Sequence, residues 1–528
     1  MAGLELVVVL GACVLLCGMI APRLRVGQPV LLLACGVLAG LLPSLSGVRL
    51  PPDVVLLLFL PVLLYWESLT ASVRSIRRSL RGIVLSSTVL VILTAAAVAA
   101  VAHALGLGWG AAWVLGAAVA PTDATAMAAL EGLLPERNLT VLKSESLVND
   151  GTALVVYGVA VGVATGSESL GFAHVSGLFV VAYAGGAVAG ALVAWPSLML
   201  LRRMSDPVLS VVLALLTPFA AYLLAESVDA SGVLAVVVCG LIGSRVAPRA
   251  MGAAGRMLGY PFFAVATFVL NATLFVLVGL EIPTAVRDLG RSDLVWALWT
   301  VVAVCATLAA VRVGFLFLSA YAIRALDRRP QQRLRRVSHR ARIVSGLSGF
   351  RGAVSLAVAL SVPATVEDGT PFPDRAAIVF VTTGVIVVTL VVQGAVLPAT
   401  VRWAHLPEDS SAHEELRLAE RTAAQEALDA LDGLAAQVRA EPGATGRVRD
   451  ELRRHLEVLT ADPAGPELRP ALRVKADYAA LGLAVVAHKR DTVIRLRDGQ
   501  HIDDGVLLRL QHRLDAEEMR LSAKHDPT

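Results

Sequence analysis

Long apolar runs separated by short polar connections make up the first three quarters of the chain. A helix needs about 20 predominantly apolar residues to cross a bilayer. By that criterion the pattern predicts thirteen membrane-spanning segments, at residues 4–22, 28–44, 53–70, 82–106, 109–131, 141–166, 172–201, 207–226, 230–246, 257–282, 293–323, 341–362 and 375–401. We therefore expect an all-α polytopic membrane protein.

A change of composition near residue 403 predicts a second domain. Residues 1–403 contain 28 Lys and Arg against 19 Asp and Glu, whereas residues 404–528 contain 18 against 23. The first part is thus about 12% charged and the second about 33% charged, where soluble proteins have roughly a quarter. We expect a transmembrane domain at 1–403 and a cytoplasmic tail of three to five helices at 404–528.

The basic residues of the connections predict the orientation of the chain in the membrane. Counting to within three residues of each boundary, connections after odd-numbered segments contain 21 Lys and Arg, and those after even-numbered segments contain 4. Because basic loops face the cytoplasm, we expect the N-terminus outside the cell membrane and the tail inside. The basic connection at 324–342 fits a loop facing anionic lipid, so we expect no nucleic-acid partner.

Thirteen segments fit two six-helix halves that are joined by an extra helix and enter the membrane in opposite senses. Such inverted-repeat transporters bind their substrates near the midplane, where corresponding helices are interrupted. The fifth segment is interrupted at Pro121, close to Asp123. Its counterpart in the second half is the twelfth segment, which carries the glycine-rich stretch GLSGFRGAVSL around Arg351. These two interruptions predict the position of the site.

The sixth segment contains the polar stretch SESLVNDGTALVVY at 144–157. Ser146 and Asp150 are four residues apart and share one helical face, and Glu145 and Asn149 share the adjacent face. The first face can offer a hydroxyl and a carboxylate to an ion. The second face offers a carboxylate that can bind another part of the protein.

Two arginines within the predicted spans, Arg312 and Arg351, each need a carboxylate or backbone carbonyls as partners. The available acids are Asp123, Glu145, Asp150 and Glu67. Two arginines neutralise at most two of them, so at least one carboxylate lacks a fixed positive partner. Such a carboxylate holds either a proton or a cation, and alternate occupancy is an exchange mechanism. Glu67 is equally consistent with an interfacial residue.

The oxygen atoms near these interruptions suit a hard monovalent ion such as Na⁺. They belong to Asp150, Asp123, Ser146, the Thr122 carbonyl and Glu67. The sequence has no His or Cys cluster that would favour a transition metal. We therefore expect Na⁺ to bind at Asp150, Asp123 and Ser146, and no cofactor besides the transported ions.

Five strings of residues occur in a fixed order, namely PTD at 121–123, ESLVNDGTALVVY at 145–157, AAVRVGF at 309–315, GFRGAVSLAVAL at 349–360 and VVQGAVLPATV at 391–401. Together they resemble the sodium/proton exchangers of the monovalent cation/proton antiporter-1 family over essentially all of residues 1–403. The resemblance implies a homodimer of a thirteen-helix inverted-repeat fold with crossed, partly unwound fifth and twelfth helices. It also implies exchange of Na⁺, Li⁺ or K⁺ for H⁺ by alternating access, and no enzymatic activity.

The resemblance implies roles for individual residues at the ion site. The family's essential ion- and proton-binding aspartate corresponds to Asp150. Asn149 completes the Asn-Asp pair of electroneutral members, which implies one-for-one exchange. The aspartate, carbonyl and hydroxyl of the unwound region correspond to Asp123, Thr122 and Ser146.

The charges around that site also have counterparts in the family. The resemblance assigns a structural ion pair to Glu145 and Arg312, a pairing that the residues alone leave open. It assigns the arginine of the crossing helices to Arg351. The acid of the third helix corresponds to Glu67, although the sequence around Glu67 departs from the family pattern.

Three other functions are compatible with a polytopic membrane protein. A cation channel needs a continuous pore and no titrating acid. Another ion-coupled solute transporter would need aromatic or cationic groups to recognise an organic substrate. An intramembrane hydrolase would need a nucleophile with a base, and the predicted spans contain no Ser–His pair, paired GxGD-type aspartates or HExxH motif. The sequence favours the antiporter.

Overall fold

A computed structural model describes residues 2–24, 26–42, 55–123, 136–166, 172–289, 293–326, 338–366, 369–405, 411–460 and 468–525. Within these ranges the regular structure is helical, apart from one isolated β-bridge between Thr365 and Pro371. The chain divides into two compact units, Met1–Pro407 and Glu408–Thr528, which are described separately.

The first unit contains sixteen described α-helices. They are α1 (Ala2–Leu24), α2 (Gln28–Gly40), α3 (Leu60–Thr70), α4 (Val73–Val84), α5 (Val91–Ala104), α6 (Trp109–Val119), α7 (Glu136–Thr165), α8 (Phe172–Arg203), α9 (Pro207–Glu226), α10 (Gly232–Ala250), α11 (Ala253–Leu289), α12 (Leu294–Leu326), α13 (His339–Leu347), α14 (Ala353–Leu360), α15 (Arg375–Val388) and α16 (Gly394–Ala404). Three π-helical stretches, Val55–Phe59, Leu85–Leu90 and Thr389–Gln393, lead into α3, α5 and α16.

Nine helices in the described ranges are long and apolar enough to cross a membrane. Three shorter apolar helices accompany them, at Gln28–Gly40, Leu56–Thr70 and Trp109–Val119. All twelve fall on predicted segments. The twelfth predicted segment is absent from this set because its helix is divided into α13 and α14. The total of thirteen crossings and the inverted repeat therefore stay predictions.

Within the described residues, the helices of the fifth and twelfth predicted segments are interrupted. The fifth segment was predicted to run to residue 131, but α6 ends at Val119, just before Pro121. The part of that segment beyond residue 123 lies outside the described residues. In the twelfth segment, residues 348–352 separate α13 from α14 and are not helical. Proline lacks a backbone donor and glycine disfavours helix, which explains both interruptions.

Small residues let the helices of this unit approach one another closely. Gly36 of α2 faces Gly279 of α11, and a Cβ added at either position would overlap a backbone carbonyl of the other helix. Gly116 of α6 lies in the same way against the carbonyl of Ala95 in α5. Membrane helices gain packing energy by such close contact, since lipid supplies no hydrophobic force between them. This packing fixes α6, which leads into the first interruption.

The second unit contains five described helices, at the upper end of the predicted three to five. They are α17 (Ser411–Asp429), α18 (Leu431–Val438), α19 (Pro442–Thr460), α20 (Leu468–Asp498) and α21 (Asp504–His525). The last two pack through Val486, Leu514 and Leu521. Across the same pair, Arg490 Nη2 donates to Glu518 Oε2 at 2.5 Å and to Asp515 Oδ1 at 2.7 Å. Glu518 and then Asp515 raise the pKa of Arg490.

Candidate functional site

The two interrupted helices meet at their non-helical stretches. The backbone N–H of Asp123, beyond the end of α6, donates to the carbonyl of Phe350 at 2.8 Å. Phe350 lies in the stretch between α13 and α14. The sequence predicted that these interruptions mark one place in the fold, and the structure brings them into direct hydrogen-bonded contact.

Opposite charges lie at the helix ends created by the two breaks. Arg351 Nε donates to the carbonyl of Val119 at 3.0 Å, at the C-terminal end of α6, and Nη1 donates to the carbonyl of Gly349. The Asp123 carboxylate lies against Gly352, the residue that precedes α14, so closely that a Cβ at Gly352 would overlap it. The helix dipole stabilises a cation at a helix C-terminus and an anion at a helix N-terminus. Buried Arg351 is thus stabilised by backbone carbonyls.

Two polar side chains of α7 connect it to Thr122, in the unwound residues after α6. Ser146 Oγ donates to the carbonyl of Thr122 at 2.8 Å. Asn149 Nδ2 donates to Thr122 Oγ1 at 2.7 Å. These bonds satisfy the carbonyl and the hydroxyl of Thr122 beyond the end of α6. They also place the hydroxyl of Ser146, the carbonyl of Thr122 and the following Asp150 in one neighbourhood.

Asp150 is a buried carboxylate in the middle of α7. The residue is 6% exposed. Nothing in the described part of the chain forms a hydrogen bond or ion pair with its carboxylate. Its electrostatic interactions are with two other acids, Asp123 and Glu67. When ionised, the Asp150 carboxylate is a buried negative charge close to two other acids. A bound cation would offset that charge.

Glu67 is the third acid that interacts electrostatically with Asp150 and Asp123. It is half-buried in α3 and interacts electrostatically with Asp123 and with Lys143 at the start of α7. Within the ranges described, no three acidic, His or Cys side chains come together closely enough to hold a metal ion by themselves. An ion at Asp150 would therefore need hydroxyl, carbonyl or water oxygens as well as carboxylates.

Glu145 and Arg312 form a buried ion pair on the adjacent face of α7. Arg312 Nη1 lies 2.8 Å from Glu145 Oε1, and the two side chains are 4% and 6% exposed. Arg312 Nε also donates to the carbonyl of Ser345 in α13 at 3.2 Å. The pair thus links α7, α12 and α13, and it removes Glu145 from the acids that can hold an exchangeable ion.

A small polar cavity next to this pair contains residues that the sequence did not single out. Its lining includes Ser86 of the π-helical stretch and Thr94 of α5, together with Arg312, Arg351 and Asn149. Asn149 Oδ1 is buried there without a hydrogen-bond partner among the described residues. Hydroxyl residues in apolar helices usually bond to their own backbone, as Ser86 does to the carbonyl of Ile83, so their position in sequence gave no signal.

Known proteins resemble this chain in sequence and fold. The sequence model described as "Sodium/hydrogen exchanger, transmembrane" matches residues 11–403. The chain belongs to the sodium/hydrogen exchanger family. An uncharacterized Na(+)/H(+) exchanger of Mycobacterium tuberculosis (strain ATCC 25618 / H37Rv) is 44% identical to this exchanger-family chain over 521 residues, which cover 98% of this chain and 96% of that protein. The resemblance inferred from five strings of residues is confirmed.

Two more distant matches are also named as cation/proton antiporters. A sodium, potassium, lithium and rubidium/H(+) antiporter of Bacillus pumilus (strain SAFR-032) is 30% identical, over 70% of this chain and 57% of that protein. The solved structure of the sodium proton antiporter MjNhaP1 from Methanocaldococcus jannaschii matches with a TM-score of 0.56 and 18% identity, covering 76% of this chain and 99% of that one. The fold is that of a sodium/proton antiporter, and the chain is a multi-pass membrane protein.

Proposed function

We propose that the protein exchanges Na⁺, Li⁺ or K⁺ for H⁺ across the cell membrane, one for one, by competitive binding at Asp150. Membership of the exchanger family supports exchange as the activity. The choice of Asp150 rests on a single observation, namely a carboxylate that is 6% exposed and has no cationic partner in the described ranges. A buried carboxylate is stable only when it binds a proton or a cation, and these two states exclude each other.

The neighbouring groups support a cation site of oxygen ligands. Asp123 interacts electrostatically with Asp150, and Ser146 already contacts the carbonyl of Thr122. We infer that Asp150, Asp123 and Ser146 bind the dehydrated ion, together with the Thr122 carbonyl and water. Hard monovalent cations prefer such ligands.

Asn149 supports an electroneutral stoichiometry. Its amide donates to Thr122 Oγ1 at 2.7 Å and has no charge to change during a cycle. Glu145 is bound to Arg312 and is therefore not counted as an exchanging group. Asp150 is then the titrating group of α7, and each cycle moves one cation against one proton.

We further propose the large-scale organisation of transport. Two inverted six-helix repeats within thirteen spanning segments would expose Asp150 to each side of the membrane in turn, around the crossing of α6 with α13 and α14. The connections rich in Lys and Arg support an external N-terminus and a cytoplasmic tail at 404–528. We propose that two copies form a homodimer in the bilayer.

The assignment can be tested with purified protein in proteoliposomes. An imposed Na⁺, Li⁺ or K⁺ gradient should drive proton movement with the wild type and should not with Asp150→Asn. Asp288→Asn removes an exposed carboxylate at the end of α11 and is the matched control, which should transport normally. Proton movement that persists in Asp150→Asn would exclude Asp150 as the exchanging group. Clamping the membrane potential should leave the wild-type rate unchanged if exchange is electroneutral.

A further inference from the structure

A second pocket lies among α3, α8, α9, α10 and α11 and shares no lining residue with the polar cavity of the candidate site. It is a groove with a cavity volume of about 50 Å³ that continues into space open to its surroundings. The proposed exchange does not use this groove.

The walls of this pocket are mostly apolar and include four aromatic side chains, Tyr65, Trp66, Tyr260 and Phe263. The rings of Trp66 and Phe263 are parallel, with centroids 5.5 Å apart, and Tyr260 packs edge-on against Trp66 at 5.6 Å. On another side, Gly243 and Ala247 lie one turn apart on α10 and contribute almost no side-chain bulk. A lining of aromatic rings and small residues suits a flexible hydrocarbon chain.

Arg256 is the only charged residue among the described residues that line the pocket. Its Nη1 donates to the carbonyls of Pro248 (3.2 Å) and Met251, which fixes the orientation of the guanidinium. Its other two nitrogens have no hydrogen-bond partner in the described part of the chain. Arg256 is half-buried, so it can meet a head group where the pocket opens. Arg202 adds positive charge, since it lies one turn after Leu198 of the lining on α8.

We propose that this pocket binds one hydrocarbon chain of an anionic amphiphile, whose acidic head group pairs with Arg256. A carboxylate or a phosphate can take two parallel hydrogen bonds from a guanidinium, which a neutral head group of the same size cannot match. Free fatty acids and anionic phospholipids share this chemistry. The proposal concerns binding alone and does not depend on the proposed exchange activity.

Trp66 provides a direct probe, because bromine atoms on a bound chain quench the fluorescence of a nearby indole. Purified full-length protein in detergent is titrated with a brominated C18 fatty acid and, separately, with a brominated phosphatidylglycerol. We expect saturable quenching by at least one of them, and its saturable part should disappear in Trp66→Phe. Which probe saturates identifies the source of the chain. Saturation by neither probe would overturn the proposal.

Variants test the pocket and its charge separately. Arg256→Gln should weaken binding about tenfold, the effect of losing a charge-assisted hydrogen bond. Arg249→Gln removes an exposed charge from the end of α10, outside the lining, and should bind as the wild type does. Ala247→Phe places a bulky ring in the pocket and should prevent binding of the chain.

A ligand comparison on the wild-type protein covers the case in which a variant fails to fold. The brominated methyl ester of the same fatty acid carries no charge and should bind about tenfold more weakly than the acid. Equal affinity for acid and ester would refute recognition of an anionic head group. Saturable quenching of equal size in Trp66→Phe would show that the chain binds somewhere else.

Discussion

The buried ion pair predicts that Glu145 and Arg312 respond differently to substitution. Arg312 Nη1 contacts Glu145 Oε1 at 2.8 Å, and Nε donates to the Ser345 carbonyl at 3.2 Å. Arg312→Met therefore removes two hydrogen bonds and leaves the Glu145 carboxylate buried without its cation. Breaking a buried pair in this way costs about 3–5 kcal/mol of stability. A loss of that size is a large fraction of the roughly 5–15 kcal/mol by which folded proteins are typically stable.

Glu145→Gln is the milder change of the two. It leaves the Arg312 guanidinium without its anion, but the amide oxygen of Gln and the Ser345 carbonyl can still accept its hydrogen bonds, so we expect a loss of about 1–3 kcal/mol. The double variant Glu145→Gln/Arg312→Met buries no charge at this site and should be more stable than Arg312→Met alone. Reversible unfolding of the purified protein by SDS gives the three free-energy differences. If the double variant loses the sum of the two single losses, the pair is not coupled and the reasoning is wrong.

Three further outcomes follow from the same geometry. Gly352→Ala should abolish exchange while the protein remains folded, because the added Cβ overlaps the Asp123 carboxylate; initial rates in proteoliposomes and fluorescence-detected size exclusion measure the two effects. The apparent affinity for Na⁺ should fall about tenfold for each unit of pH decrease in the range where Asp150 is mostly protonated, and an affinity independent of pH there would contradict competition. Asn149→Asp places a second acid beside Thr122 and should make exchange sensitive to membrane potential, which valinomycin clamps can detect.

The helical fold and the meeting of the two interrupted segments could be predicted from the sequence because both have strong local signals. A run of about 20 apolar residues indicates a helix that crosses the bilayer. Pro121 within such a run marks a break in the helix. The lengths of the broken helices were not predictable, because the apolar pattern continues through residues that are not helical. The division of the chain at Pro407 lies close to the change of composition near residue 403.

The partners of the buried charges were much harder to predict. Arg312 and Glu145 are 167 residues apart in the chain, and any of several acids would have satisfied an arginine on energetic grounds. Only the family resemblance suggested this pair. Arg351 takes backbone carbonyls instead of an acid, a contact that depends on where α6 ends. The cavity beside Asn149 is lined in part by the hydroxyl residues Ser86 and Thr94, whose local sequence is typical of ordinary apolar helices.

The central claim is that one carboxylate, that of Asp150, releases its proton when a cation binds. Proton release can be measured directly by adding NaCl to purified protein in weakly buffered detergent solution that contains a pH-sensitive dye, with choline chloride as the control salt. The wild type should release up to one proton per chain on addition of Na⁺, and Asp150→Asn should release none. Equal release from Asp150→Asn and the wild type would contradict the account.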